Sequence, residues 1–225
     1  MFFDWLNTLA HPEPERHEIY LRTYREFGIE LDLKRLASGI STAENLVAEG
    51  NPVKWRESGD NEPCIRYQEV LLSEFGIRLP REKIAGVVSR LNYWVQHVSL
   101  ILYDDVIPTF EELKQRGLIL GLLTNMPKGF GLNYRELGLE PYLDVVVTSE
   151  EAGANKPKPP IFRLALERAG VGAAEAVYVG DQYGTDVIGA KGVDIKPVLI
   201  DRFGFTPEVA DCERITSLSE LGRCL

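Results

Sequence analysis

From Gly117 onward, short apolar runs alternate with amphipathic stretches, a pattern that predicts βαβ units around a parallel sheet. Four runs read as strands: Leu118–Leu123, Asp144–Val147, Ala176–Val179 and Pro197–Ile200. Between them Ile161, Phe162, Ala165 and Ala169 recur at helical spacing, and Pro159 and Pro160 suit the first turn of that helix. Each of these apolar positions is expected to serve the core and nothing else.

The stretch from Glu13 to Ser99 has a different period. Helical stripes run through Tyr20, Tyr24 and Phe27, then Cys64, Tyr67, Leu71 and Phe75, then Ile84, Val87, Val88, Leu91 and Val95. Loop-like Gly50-Asn51-Pro52 and Ser58-Gly59-Asp60-Asn61 separate them. A helical block between one short N-terminal strand, Phe2-Phe3, and a β/α series reads as an insertion. The expected fold class is therefore α/β: a parallel-sheet core over 1–12 and 100–225, interrupted by helices over 13–99.

At 225 residues the chain can bury one large or two unequal cores. A formal net charge of −9 argues against nucleic acid or an anionic membrane as partner, since both attract basic surface. A small anionic substrate stays possible where a few cations or a metal gather. Cys64, Cys212 and Cys224 are odd in number and lack C-x-x-C spacing, which disfavours a disulfide framework or a structural zinc site. The start, Met1-Phe2-Phe3-Asp4, does not read as a signal peptide. The longest apolar run is far short of the ~20 residues that span a bilayer. The expectation is a cytoplasmic protein.

Chemistry concentrates where strands end. Asp4 follows the first strand, where open α/β sheets place their ligands, although a lone Asp there would read as a turn or helix cap. Thr124 and Asn125 end the second strand and offer hydroxyl and backbone N–H to a ligand oxygen. Lys156 sits in Asn155-Lys156-Pro157-Lys158-Pro159, just before a helix, with Lys158 expected at the surface. Val177-Tyr178-Val179-Gly180-Asp181 is a strand, a glycine permitting close approach and an acid, and Asp186 follows five residues later. Three carboxylates in one cleft would repel one another unless a cation neutralised them, and a few hard oxygen ligands suit Mg2+.

The order and spacing of these four elements resembles the haloacid dehalogenase superfamily. Its motifs are a nucleophilic Asp in D-x-D-x-T, a Thr or Ser after the second strand, a Lys before a helix, and G-D-x-x-x-D or a close variant. They fall here on Asp4 with Thr8, on Thr124, on Lys156, and on Gly180-Asp181 with Asp186. The phrases Val106–Leu113, Glu151-Ala152-Gly153 and Ile188–Lys191 are similar to the family too, so the likeness spans nearly the whole chain. It implies a Rossmann-like catalytic core and a helical cap over 13–99 that excludes water and selects substrate. Asp4 would then attack phosphorus, giving an aspartyl-phosphate. Mg2+ would be held by Asp4, the Leu6 carbonyl, Asp181 and Asp186, with Asp186 alternatively orienting Lys156 or a metal-bound water. Thr124 and Lys156 would neutralise the phosphoryl oxygens, with Thr8 and Asn125 also on the substrate. Lys54 and Arg56, beside Trp55, read as a solvated cap loop.

One position departs from the family. Its phosphatases carry a second Asp two residues after the nucleophile, the general acid and base, and this chain has Leu6 there. A leucine side chain moves no proton, and a positioned acid–base group contributes about 10² to 10⁴ in rate. The superfamily's 2-haloacid dehalogenases carry Tyr at that position and its phosphonate-cleaving members Ala. Gly180-Asp181 speaks against a dehalogenase, in which Ser-type residues usually replace that pair. Three readings stay open: a Mg2+-dependent phosphohydrolase with altered acid–base chemistry, a 2-haloacid dehalogenase-like hydrolase, and a ligand-binding protein with weak or lost catalysis.

Overall fold

A computed structural model describes residues 1–36, 39–40, 43, 61–126, 132–206 and 209–224. The chain forms two compact units. The first comprises Met1–His11, Leu100–Gly204 and Glu208–Leu225; the second comprises Pro12–Ser99 and Phe205–Pro207.

The first unit is built on six strands, all paired parallel: β1 (Phe2–Phe3), β4 (Gly121–Thr124), β5 (Val145–Thr148), β6 (Val177–Gly180), β7 (Lys196–Ile200) and β8 (Glu213–Ile215). Their order is β5-β4-β1-β6-β7-β8. The chain therefore winds outward from β1 in both directions, which makes β1 the switch point of a Rossmann-like sheet. Ligands of such sheets bind outside the carboxyl ends of the strands at that point.

Period-two alternation sorts the strand side chains onto two covered faces. Phe3, Leu122, Val179 and Val198 join one cluster with Val106, Phe110 and Leu113 of α4 (Val106–Gln115) and with Leu218 and Leu221. Phe2, Leu123 and Tyr178 turn the other way, onto Ile161, Phe162 and Ala165 of α6 (Pro159–Ala169). α6 has the expected proline start, and it stops at Gly170 (φ 65°), a left-handed position suited to glycine.

Three of the four expected core strands shift by at most one residue. The run at Leu118 becomes a strand only from Gly121, because Leu118 N–H closes the preceding helix on Leu113 O and the Leu120 carbonyl accepts from Asp144 N–H. Strand β8, Glu-Arg-Ile, has one buried side chain and so carries no hydrophobic period to read. Four residues, Ser149–Ala152, form the short helix α5 behind a capping box on Thr148.

The second unit is helical. α1 (Arg16–Glu26), α2 (Glu62–Ser73) and α3 (Arg81–His97) pack Ile19, Tyr24, Ile65, Leu71, Ile84, Val87 and Leu91 into one cluster. The short strands β2 (Ala10–Glu13) and β3 (Ser99–Leu102) lie where the chain passes between units. Phe205 groups with the helices, its ring edge-on to His17 at 5.9 Å. Gly50-Asn51-Pro52, Ser58-Gly59-Asp60, Lys54, Trp55 and Arg56 lie outside the described residues. Among the described residues no helix is long and apolar enough to cross a membrane.

Candidate active site

β1 is only two residues long, and its exit is fixed by Asp4 N–H donating to Val179 O at 2.9 Å. The chain then turns sharply. Asn7 adopts φ 59°, a left-handed conformation that asparagine tolerates better than most residues. Beyond it, the Thr8 carbonyl accepts from Arg202 Nη2 at 2.6 Å, while Arg202 also pairs with both oxygens of Asp105 at 2.9 and 3.0 Å. Asp105 further accepts from Ser217 Oγ and Leu218 N–H. Burial would raise its pKa, but these donors outweigh burial and hold it below the usual range. This network pins the Asp4–Thr8 loop to the start of α4.

Lys156 reaches the same strand end from 152 residues away. Its ammonium lies 2.5 Å from Asp4 Oδ1, 2.8 Å from Asp186 Oδ1 and 2.8 Å from the Tyr178 hydroxyl. The Lys156 side chain is 3% exposed and that of Asp186 1%, so the ion pair is shielded from water. Burial alone would lower the lysine's pKa; Asp186 and Asp4 reverse that and hold it well above the ordinary value. For Asp4, burial is the largest influence; Lys156 opposes it, Asp186 adds to it, and the carboxyl is pushed up to about 6.

The backbone of Lys156 is held as firmly as its tip. Asn125 Oδ1 accepts from Lys156 N–H at 2.7 Å and Asn125 Nδ2 donates to Lys156 O at 3.2 Å. Both amide atoms of Asn125, expected on a substrate, thus face the lysine backbone. Thr124 is 2% exposed and its Oγ1 accepts from Met126 N–H at 3.1 Å. Thr8 Oγ1 is buried with no hydrogen-bond partner among the described residues. Lys158 is exposed at the start of α6.

On the other side of β1, Asp181 follows β6. Its Oδ2 accepts from Asn7 Nδ2 at 3.2 Å. Asp186 folds back over the strand end from a single π-helical turn, Tyr183–Val187, with Oδ2 accepting from Gln182 N–H at 3.0 Å. That return needs Gly180: a Cβ there would lie 2.3 Å from Asp186 Cγ, so the requirement is space rather than backbone freedom. Gly180→Ala is expected to push Asp186 off Lys156 and cost ~1–3 kcal/mol of stability, as overpacking does. Urea unfolding measures this directly, and an unchanged midpoint would refute the packing account.

Ligand oxygens of Asp4, Asp181 and Asp186 lie within 4.8 Å of one another. Three ionised carboxylates and one ammonium sum to two negative charges, and all the acidic donors are hard oxygens. A divalent cation of the Mg2+ kind fits this set. Leu6 lies in the same loop, and its side chain packs against the core cluster of Phe3 and Phe110.

Tyr178, Asn7, Gln182 and the Arg202–Asp105 pair were not singled out by sequence reasoning. Tyr178 alone left a signal: a tyrosine between two valines of a buried strand must find a partner for its hydroxyl.

A family model for haloacid dehalogenase-like hydrolases matches residues 1–194. The glyceraldehyde 3-phosphate phosphatase of Methanopyrus kandleri is 34% identical over 186 residues, 81% of this chain and 73% of that protein. The ribulose-1,5-bisphosphate 5-phosphatase of Halopiger xanaduensis is 32% identical over 210 residues, 89% of this chain and 84% of that one. Among solved structures, a HAD phosphatase from Thermococcus onnurineus superposes with a TM-score of 0.59 at 30% identity, covering 99% of this chain and 95% of that chain.

Proposed function

The chain belongs to the haloacid dehalogenase-like hydrolases, and from that premise we propose that it is a Mg2+-dependent phosphohydrolase of small phosphorylated molecules, with Asp4 as nucleophile. The observation that carries this reading is the buried Asp4–Lys156–Asp186 cluster, with Asp181 beside it at the switch point of the sheet. Phosphatases related over four-fifths or more of the chain support it.

In this reading Asp4 attacks phosphorus, forming an Asp4 O–P bond as the bond from phosphorus to the leaving oxygen breaks. Water then attacks the aspartyl-phosphate, returning the carboxylate and releasing phosphate. Lys156 and Thr124 neutralise the phosphoryl oxygens. Asp4, Asp181 and the Leu6 carbonyl would hold Mg2+, which supplies positive charge to the phosphoryl group. Both oxygens of Asp186 already accept hydrogen bonds, which favours its role as the holder of Lys156 over direct ligation. The hydrogen bonds of Asn125 likewise favour a positioning role. The helical unit serves as the cap.

Leu6 shapes the expected substrate profile. With no acid at that position the leaving oxygen departs as an anion, so aryl and acyl phosphates should turn over far faster than phosphorylated alcohols. The test is a Mg2+-dependent phosphate-release series across leaving groups, repeated with Leu6→Asp. The variant should gain at least about tenfold on phosphorylated alcohols. A flat profile in the parent means another residue donates the proton. No gain in a folded, Mg2+-binding variant counts against phosphate monoesters as substrates. Leu6 also favours a second reading, expulsion of halide from a 2-haloacid, which needs no proton; halide release from 2-chloropropionate without metal would establish it. Mg2+ binding with neither turnover would leave a ligand-binding protein.

A further inference from the structure

An ammonium group has three protons to donate, and Lys156 has three acceptors: Asp4 Oδ1 at 2.5 Å, Asp186 Oδ1 at 2.8 Å and the Tyr178 hydroxyl at 2.8 Å. An incoming anionic oxygen therefore reaches Lys156 only by exchange, and the three contacts differ in how readily they yield.

Asp186 is tied down twice more. Its Oδ1 also accepts from the Tyr178 hydroxyl at 3.0 Å, and its Oδ2 accepts from Gln182 N–H. Tyr178 is fully buried on β6, its ring edge-on to Phe162 at 5.2 Å. Its hydroxyl accepts from the ammonium and donates to the carboxylate, so both of its hydrogen-bonding directions are set. Asp4 is the partner with access to solvent, its side chain 13% exposed.

Resting on the assignment of Asp4 and Lys156 above, we infer that Tyr178 is a positioning residue for the reaction. With Asp186 it pins the Lys156 ammonium from behind, so that the Asp4 contact is the one surrendered to a substrate oxygen. That single exchange captures the anionic group and frees Asp4 Oδ1 to attack. Without the phenol, the ammonium turns more strongly to Asp4, and the nucleophile is held back while the binding surface is intact.

Tyr178→Phe keeps the ring and removes only the hydroxyl. The expected result is a fall in kcat of about tenfold or more, the scale of a misplaced catalytic group, with KM changed by less than about threefold. Mg2+ affinity by calorimetry should fall, since the ammonium that turns to Asp4 competes with the cation for that carboxylate. A purely structural tyrosine would lower the melting temperature and leave kcat at a permissive temperature unchanged; that outcome overturns the inference.

A second readout is independent of turnover. In the 1H–15N spectrum of the metal-free parent protein, the Lys156 ammonium should give a slowly exchanging signal that shifts on adding inorganic phosphate and broadens in Tyr178→Phe. An ammonium signal that exchanges as fast as that of a surface lysine in the parent overturns the pinning, whether or not the variant folds. Loss of turnover in Lys156→Met is the control: if the parent and this variant hydrolyse aryl phosphates equally, the functional reading falls, while the spectrum still decides Tyr178.

Discussion

Asp4→Asn is expected to lower phosphate-ester turnover by about 10⁴-fold or more, the scale seen when a covalent nucleophile is removed. The amide matches the carboxylate in shape but neither attacks nor carries charge. The hydrogen bond from Asp4 N–H to Val179 O survives, so the strand exit and the fold should persist, as circular dichroism would register. The same residue sets an acid limit. Without metal, burial pushes its carboxyl up to about 6, and a bound cation favours the carboxylate, so turnover of the parent at saturating Mg2+ should start to decline, by about tenfold per unit, only below that value. Unchanged activity in Asp4→Asn, from pH 5 to 8, would remove the nucleophile assignment.

Lys156→Met is expected to be the most destabilising single change at this site. It leaves Asp4 and Asp186 facing each other in a buried place with no compensating charge, and breaking a buried pair in this way costs ~3–5 kcal/mol. The pH dependence has a definite sign. Asp4 is already raised above the ~3.9 of the unfolded chain by burial, and losing the ammonium that opposes burial raises it further. The unfolded state then releases protons more readily, so the variant loses stability as pH rises above about 4 and regains it as pH falls. Urea unfolding at pH 5 and pH 7.5 should show the larger deficit at pH 7.5. Excess Mg2+ should restore part of it by supplying positive charge to the same carboxylates. A deficit below about 1 kcal/mol that ignores pH would mean the carboxyls relax to solvent when the lysine is lost.

Between them these variants probe two kinds of group. Asp4, Thr124, Lys156, Asp181 and Asp186 stand at strand ends or in marked loops; each is a weak signal alone, and it is their joint order and spacing, resembling the haloacid dehalogenase superfamily, that singles them out. Asn125 was equally visible, but its hydrogen bonds to the Lys156 backbone were not, because they join residues 31 apart. Arg202 and Asp105, which fix the loop after Asp4, lie 97 residues apart and share no motif. Tyr178 shows in sequence only that a buried strand hydroxyl needs a partner; which partner it finds is set by the fold.

What the sequence by itself determined is whatever repeats or is local. The switch from a period of about 3.6 to short apolar runs separated helices from sheet, and glycine, proline and polar residues at the strand ends marked where chemistry gathers. What the tertiary structure decided is pairing: the order β5-β4-β1-β6-β7-β8, the place of the irregular strand β8, and the turning of Asp186 back through the space left by Gly180. Above all it decided that one ammonium meets two carboxylates and a phenol. Hydrophobic period is set by neighbours in the chain, whereas the energy of a buried charge depends on what surrounds it in space, and those partners come from β1 and β6, far from Lys156 in sequence.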